Sequence, residues 1–395
     1  MIPSQDAHNN FKLPSFIPEL ESVRAYMAWW VVVGHIVASC GYYYSEANNW
    51  PLKIISINGH AVSVFIMLSG FLIFRMLEKP ASYPIYLSRR FYRIFPLYLL
   101  LLLISIIAWD LSEVARTQAT WRPASYIQNY INKSASIEAH FWEHTALHIL
   151  LLQGLLPDQI LNYSGEAFIA PAWSLSLEWQ FYLIAPLIFK LSKLNRWYLC
   201  IIAGGFYCLN YLITKGGYTF SYGAFLPCKF EYFAIGISTA LFFADLEQGL
   251  SLKNSILKQW PIAFLTMASF KLNPTSFLAV YIWIFVISII YLKYYANISA
   301  IDSFCKIVFS RYATYLGRTS YSTYIIHPIL IDIVVFAIIY AGYGGISSLE
   351  ALKIIAPIVI LLTVTLSHHL HRLIELPAIE FGKTRTTQWH TGKTR

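Results

Sequence analysis

The chain has 395 residues, of which 57% are hydrophobic and 12% charged, with a formal net charge of +9 and a mean hydropathy of +0.53. A soluble domain carries about 25% charged residues, so this composition excludes a water-soluble enzyme and points to an integral membrane protein. The basic excess is spread along the chain and forms no single patch, which excludes a nucleic-acid-binding surface.

The N-terminal stretch MIPSQDAHNNFKLPSF is polar and proline-bearing, without a signal-peptide pattern, and reads as a cytoplasmic arm over residues 1–17. From there, apolar runs long enough to span a bilayer recur along the whole chain, about ten in all. They lie near 22–42, 57–77, 93–110, 172–190, 197–214, 225–244, 258–272, 275–293, 320–341 and 354–372. None alternates as a barrel strand would, so the fold class is all-α and polytopic. Every second connection is basic: Arg75 to Arg93, then Lys190, Lys193 and Arg196, then Lys293 to Arg318, then the stretch after Arg372. The positive-inside rule places these in the cytoplasm, together with both termini. A transmembrane domain over 18–382 and a mobile basic tail over 383–395 complete the expected organisation.

The candidate site residues follow in chain order. Eleven helical steps separate Arg24 from His35 in the first run, so the two share one helix face about 16 Å apart. Ionisable groups inside a membrane helix are costly and mark functional sites. The second run, NGHAVSVFIMLSGFLIF, puts Ser69 and Gly70 near its middle, where small residues admit a neighbouring helix or a ligand; His60 sits at its outer end. YLSRRFYRIFPLYLL then places Arg90 and Arg93 three residues apart on one helix face. Paired guanidiniums suit phosphate oxygens, and equally suit a membrane anchor, the role that fits Arg89. In WSLSLEWQFYLIAPLI, Glu178 has Ser174 and Tyr182 one turn away on either side. LGRTSYSTYIIHPIL brings Thr323, Tyr324 and His327 onto one face, and HRLIELPAI sets Glu375 beside Arg372, which reads as a surface ion pair.

His140, His144 and His148 recur every fourth residue, a spacing for one helix face and a conceivable metal seat; the surrounding Trp, Phe and Leu favour an interfacial helix instead, and no metal is expected. Five cysteines show no paired or ligand spacing and read as apolar packing residues. GxSxG, Walker, HExxH and dinucleotide motifs are absent, and the apolar runs consume nearly all the length. Chemistry is therefore expected within or beside the membrane domain.

In this order, the motifs resemble acyltransferase family 3, whose members acylate carbohydrates and related acceptors. The resemblance spans residues 18 to 382 and rests on six features. They are Arg24 with His35, GHAVSVFIMLSGF, the arginine pair ahead of Pro96 and Tyr98, WSLSLEWQFY, SYSTYIIHP, and the closing IELP. It implies essential roles for Arg24 and His35, a coenzyme A site at Arg90 and Arg93, and matching family positions at Glu178 and His327. Where the family often has an acidic residue, this chain carries Ser63, which takes an acid role away from that position. The resemblance is to the stand-alone type, without an esterase-like domain.

These readings imply a multi-pass protein of the inner (plasma) membrane that moves an acetyl group from cytoplasmic acetyl-CoA to a carbohydrate hydroxyl outside. Acetyl-CoA is expected as a substrate, with no resident cofactor and with membrane lipids as surroundings. Catalytic roles fall to His35 and Glu178, donor binding to Arg24, Arg90 and Arg93, and further site roles to Ser69, Tyr324 and His327. His35 serves either as general base or as acyl-carrying nucleophile. Two other readings stay open: a proton-coupled transporter or flippase, and an acyltransferase with a lipid or small-molecule acceptor.

Overall fold

The computed structural model describes residues 11–42, 50–270 and 277–391. The first part of the N-terminal arm, the junction of the seventh and eighth runs and the end of the tail lie outside the described residues. Seventeen α-helices follow in chain order, with no strand among the described residues. The first seven are α1 (Pro18–Ser39), α2 (Trp50–Ser56), α3 (Gly59–Leu77), α4 (Tyr83–Ile107), α5 (Trp109–Thr117), α6 (Ala124–Ala139) and α7 (Phe141–Ile149). Next come α8 (Trp173–Leu194), α9 (Trp197–Lys215), α10 (Phe230–Glu247), α11 (Leu252–Phe270) and α12 (Phe277–Tyr294). The chain finishes with α13 (Ser299–Val308), α14 (Arg311–Arg318), α15 (Ser320–Ile338), α16 (Ser348–Leu370) and α17 (Leu376–Thr391).

A helix of at least 18 residues lies at each of the ten apolar runs. Among the described residues, six helical stretches are long and apolar enough to cross a membrane, and these include α3, α4, α9, α12, α15 and α16. The other long helices carry more polar residues: Glu19, Glu21 and Arg24 in α1, Glu178, Lys190 and Lys193 in α8, Glu231, Asp245 and Glu247 in α10, and Lys253 and Lys258 in α11. Several of these charges are paired inside the protein, as Lys293 is with Glu19 (2.6 Å) and Arg196 with Asp245 (2.5 Å). The chain is a multi-pass, all-helical membrane protein.

Helix ends follow local chemistry. Pro18 and Pro84 stand in the first turns of α1 and α4, where a missing N–H costs nothing. Ser347 and Glu350 cap α16 reciprocally. The centre is built by close approach. A Cβ on Gly236 would sit 2.0 Å from the Met67 carbonyl oxygen, and one on Gly70 would sit 2.6 Å from that of Phe233. Helices α3 and α10 therefore touch backbone to backbone, which small residues alone permit. The same device, Gly317 against the Glu21 carbonyl (1.8 Å), seats α14 on α1. The most buried spans are those of α3 and α15, while α9 is nearly all on the outside.

Both terminal segments are packed where described, the C-terminal one against expectation. Phe11, Leu13 and Ile17 are buried, Phe11 against Tyr295, and the Leu13 N–H donates to Glu247 (2.8 Å), so the arm is packed from residue 11 onward. The tail expected to be mobile continues as α17 to Thr391, with Arg89 donating to Thr386 (3.0 Å) and Arg385 to Tyr92 (2.8 Å). Polarity had signalled a free tail, but long polar side chains on α4 supply partners for it.

Candidate functional site

One cavity lies among α1, α3, α4, α8, α10 and α15 and holds about 900 Å³ of atom-free space, its open mouth included. Of the residues singled out from sequence, Arg24, Arg90, Arg93, Ser69, Glu178 and Tyr324 all line it. Pro96 and Pro186 lie within α4 and α8, each removing a backbone donor from the helix that carries these side chains.

The three guanidiniums gather at one end with unequal partners. Arg24 donates to Glu21 (2.9 Å), one turn earlier on its own helix. Arg90 lies over the Tyr182 ring (5.7 Å) and against the Met76 sulfur (3.2 Å), with its Nε buried and unbonded. Arg93 faces Glu375 at 3.6 Å. Glu375 was expected at the surface beside Arg372, and here the structure corrects the sequence. The carboxylate is buried, accepting from Ser322 (2.8 Å) and bonded to His371 (2.9 Å), while Arg372 is exposed. The cause is a wide π-turn over His371–Glu375, which rotates the side chain inward against α15.

Deeper in the cavity, Glu178 accepts hydrogen bonds from Ser69 (2.8 Å) and Tyr182 on one oxygen. Ser174 bonds to the Tyr324 hydroxyl (2.9 Å), which also donates to the Pro171 carbonyl (3.1 Å).

His35 does not line this cavity. It pairs with His327, Nδ1 to Nε2 at 2.8 Å, and Tyr324 connects the two regions, its ring 6.1 Å from that of His327. His327 is fully buried and its Nδ1 faces the Thr323 carbonyl at 3.3 Å. A carbonyl only accepts, so His327 Nδ1 carries the proton and its Nε2 is a bare acceptor. His35 then donates from Nδ1, which leaves the lone pair of its Nε2 free. The two rings form a directed relay with its basic end on His35.

Beyond the histidines lies a charged cluster that the sequence reading missed. Arg116 on α5 makes a bidentate bond to Asp332 on α15 (2.6 to 3.1 Å) and lies over the Tyr130 ring (5.0 Å). Lys133 binds Glu166 (2.9 Å) alongside. A signal was present, because Asp332 interrupts an apolar span and must find a cation.

The histidine triplet is not on one face. α6 ends before His140, which is exposed, and α7 starts after it. Burial pushes His144 down to about 4 and His148 down to about 3, so both are neutral. His148 bonds to the Ser164 carbonyl (3.0 Å) and the Tyr98 hydroxyl (3.3 Å), a packing role. No group of three His, Cys, Asp or Glu able to hold a metal gathers among the described residues. His60 sits half-exposed near Trp30 (6.4 Å), outside the cavity.

The sequence matches a family model described as an acyltransferase domain over residues 17–368. It is also similar to the acyltransferase MdmB of Streptomyces mycarofaciens, 27% identical over 205 residues, covering 50% of this chain and 47% of that protein. The match thus spans about half the length of that curated relative. No solved structure matches the chain.

Proposed function

Because the chain belongs to the acyltransferase family whose domain it matches over most of its length, we propose that it is a membrane O-acyltransferase taking an acetyl group from cytoplasmic acetyl-CoA. The acceptor is a hydroxyl of a cell-envelope carbohydrate on the outer side. The observation that carries this reading is the convergence of Arg24, Arg90 and Arg93 on a cavity that runs in toward Tyr324 and the His35–His327 pair.

Coenzyme A carries phosphate charges too costly to bury, so its nucleotide stays at the arginine end, where Arg90 has no carboxylate partner among the described residues. The pantetheine arm is thin and bears amide N–H groups. It follows the cavity inward, and Glu178, held by Ser69 and Tyr182, accepts from one of those amides. The thioester then reaches the Tyr324 end.

His35 acts as general base. The acceptor hydroxyl loses its proton to His35 Nε2 as its oxygen attacks the thioester carbon. The C–S bond breaks, and coenzyme A leaves as a thiolate that takes a proton to become the free thiol. His327 positions His35 by fixing its tautomer, as the Thr323 carbonyl fixes that of His327.

The test follows thiol release from acetyl-CoA by purified protein with cell-envelope extract as acceptor. His35→Ala is expected to lose at least a hundredfold in kcat. The Arg90→Ala/Arg93→Ala variant is expected to raise donor KM at least tenfold with a smaller change in kcat. Normal turnover in His35→Ala, or solute movement without thioester consumption, would remove this reading in favour of transport.

A further inference from the structure

A second cleft opens between the polar ends of α8, α9, α10 and α11, away from the arginine cavity, with about 1260 Å³ of atom-free space including its mouth. Its lining is sorted by polarity. Lys193, Arg196 and Lys258 stand in it with the amide of Gln259, and Leu257 and Pro261, one turn apart on α11, form an apolar wall beside them.

The charge there is unbalanced. Asp245 is buried and takes Arg196 through two bonds of 2.5 Å, with Gln259 at 3.2 Å and Lys258 only at 3.9 Å. Lys193 rests over the Phe189 ring (5.2 Å) and is exposed. The nearby carboxylates Glu78 and Glu247 are both engaged by Arg75, at 3.0 and 2.7 Å. One guanidinium serves two carboxylates there, so the neighbourhood as a whole holds four cations against three carboxylates, one positive charge in excess.

The surroundings are those of a bilayer edge. α9 presents Ile201, Leu209 and Leu212 outward, and α11 presents Leu257, Phe264 and Met267, so both walls continue into lipid-facing surface. Trp197 and Trp260, 62% and 58% exposed, flank the cationic level. Trp197 opens α9 and Trp260 stands where the polar first half of α11 gives way to apolar residues, and exposed tryptophans at such polar–apolar boundaries mark headgroup depth. A free anion would use the cations and leave the apolar wall wet; a ligand with both a phosphate and a hydrocarbon chain satisfies both.

We propose that this cleft binds an anionic phospholipid, with its phosphate on Lys193 and Lys258 and an acyl chain along Leu257 and Pro261. Basic clefts between membrane helices hold such headgroups through charge, while the tail adds apolar contact. Arg196 stays on Asp245 and shapes the floor. The site is independent of acyl transfer and is tested without it.

The experiment is native mass spectrometry of the full chain in detergent, titrated with phosphatidylglycerol or with phosphatidylcholine of the same chains. Wild type is expected to retain phosphatidylglycerol at least tenfold better. Lys193→Gln/Lys258→Gln is expected to lose that preference, and Lys193→Arg/Lys258→Arg to keep it. Equal retention of the two lipids overturns the proposal, as does preference surviving in the glutamine variant. Displacement of the lipid by millimolar inorganic phosphate also overturns it, since that identifies a site for the bare anion.

Discussion

Asp332 and Arg116 form an ion pair with side-chain exposures of 6% and 16%. Removing one member of a buried pair strands the other charge and costs about 3 kcal/mol, whereas replacing both by apolar groups is often neutral. Asp332→Asn is therefore expected to lower the thermal unfolding midpoint in detergent by several degrees, and Arg116→Met/Asp332→Leu to recover most of the loss. An unchanged midpoint in Asp332→Asn would mean that the pair contributes nothing to the fold. Glu375 carries a different expectation. One of its oxygens is buried without a hydrogen bond and faces Arg93. Glu375→Gln keeps the shape and removes the attraction that orients that guanidinium. Donor KM is expected to rise about tenfold, equivalent to ~1.4 kcal/mol, with kcat within a factor of two; a fall in kcat at constant KM would contradict this. Arg24 and Glu178 were legible because each interrupts an apolar run with a charge that needs a partner, Arg90 and Arg93 as a pair on one helix face, Ser69 as a small residue within its helix, and Tyr324 by sharing a face with His327. The position of Glu375 was not, because a single π-turn decides which way it points. Nor was the bond between His35 and His327, which joins side chains 292 positions apart and depends on how two helices pack.

At the scale of elements, the crossing of α3 and α10 depends on two hydrogens in place of methyl groups. Gly236→Ala would drive a methyl into the Met67 carbonyl, so the helices must separate. Because Ser69 and Gly70 are on the same helix as Met67, separation also moves the serine that bonds Glu178. Gly236→Ala is expected to destabilise the fold by about 1–3 kcal/mol of overpacking, read as a lower thermal unfolding midpoint, and to lower kcat, read by thiol release. Gly205→Ala on lipid-facing α9 meets nothing within 4 Å and is the matched control, with neither value changed. Sequence pointed to the packing role of Gly70 through its small neighbour, while Gly236 went unremarked in a run of aromatic residues. The break at His140 was hidden for a similar reason: four-residue spacing continues across it, and only the change of direction between α6 and α7 separates the rings.

For the whole molecule, every long helix coincides with an apolar run, because hydrophobic length is the property a bilayer selects. Sidedness is a matter of charge distribution and calls for a direct measurement. Trp142 is 77% exposed and Tyr312 is 83% exposed. In a cysteine-free background, a membrane-impermeant maleimide added to intact cells is expected to label Trp142→Cys, and Tyr312→Cys only after permeabilisation. The reverse pattern would invert the orientation assigned by the basic connections. One further consequence lies in Tyr324, pinned by Ser174 and Pro171 between the cavity and the histidines. Under the proposed mechanism the proton taken by His35 sits beyond that ring from the arginine-lined mouth, so its transfer moves charge through the membrane field, where a whole charge crossing the full potential exchanges about 2.3 kcal/mol per 100 mV. Tyr324 thus marks the depth at which acyl transfer is expected to become sensitive to voltage.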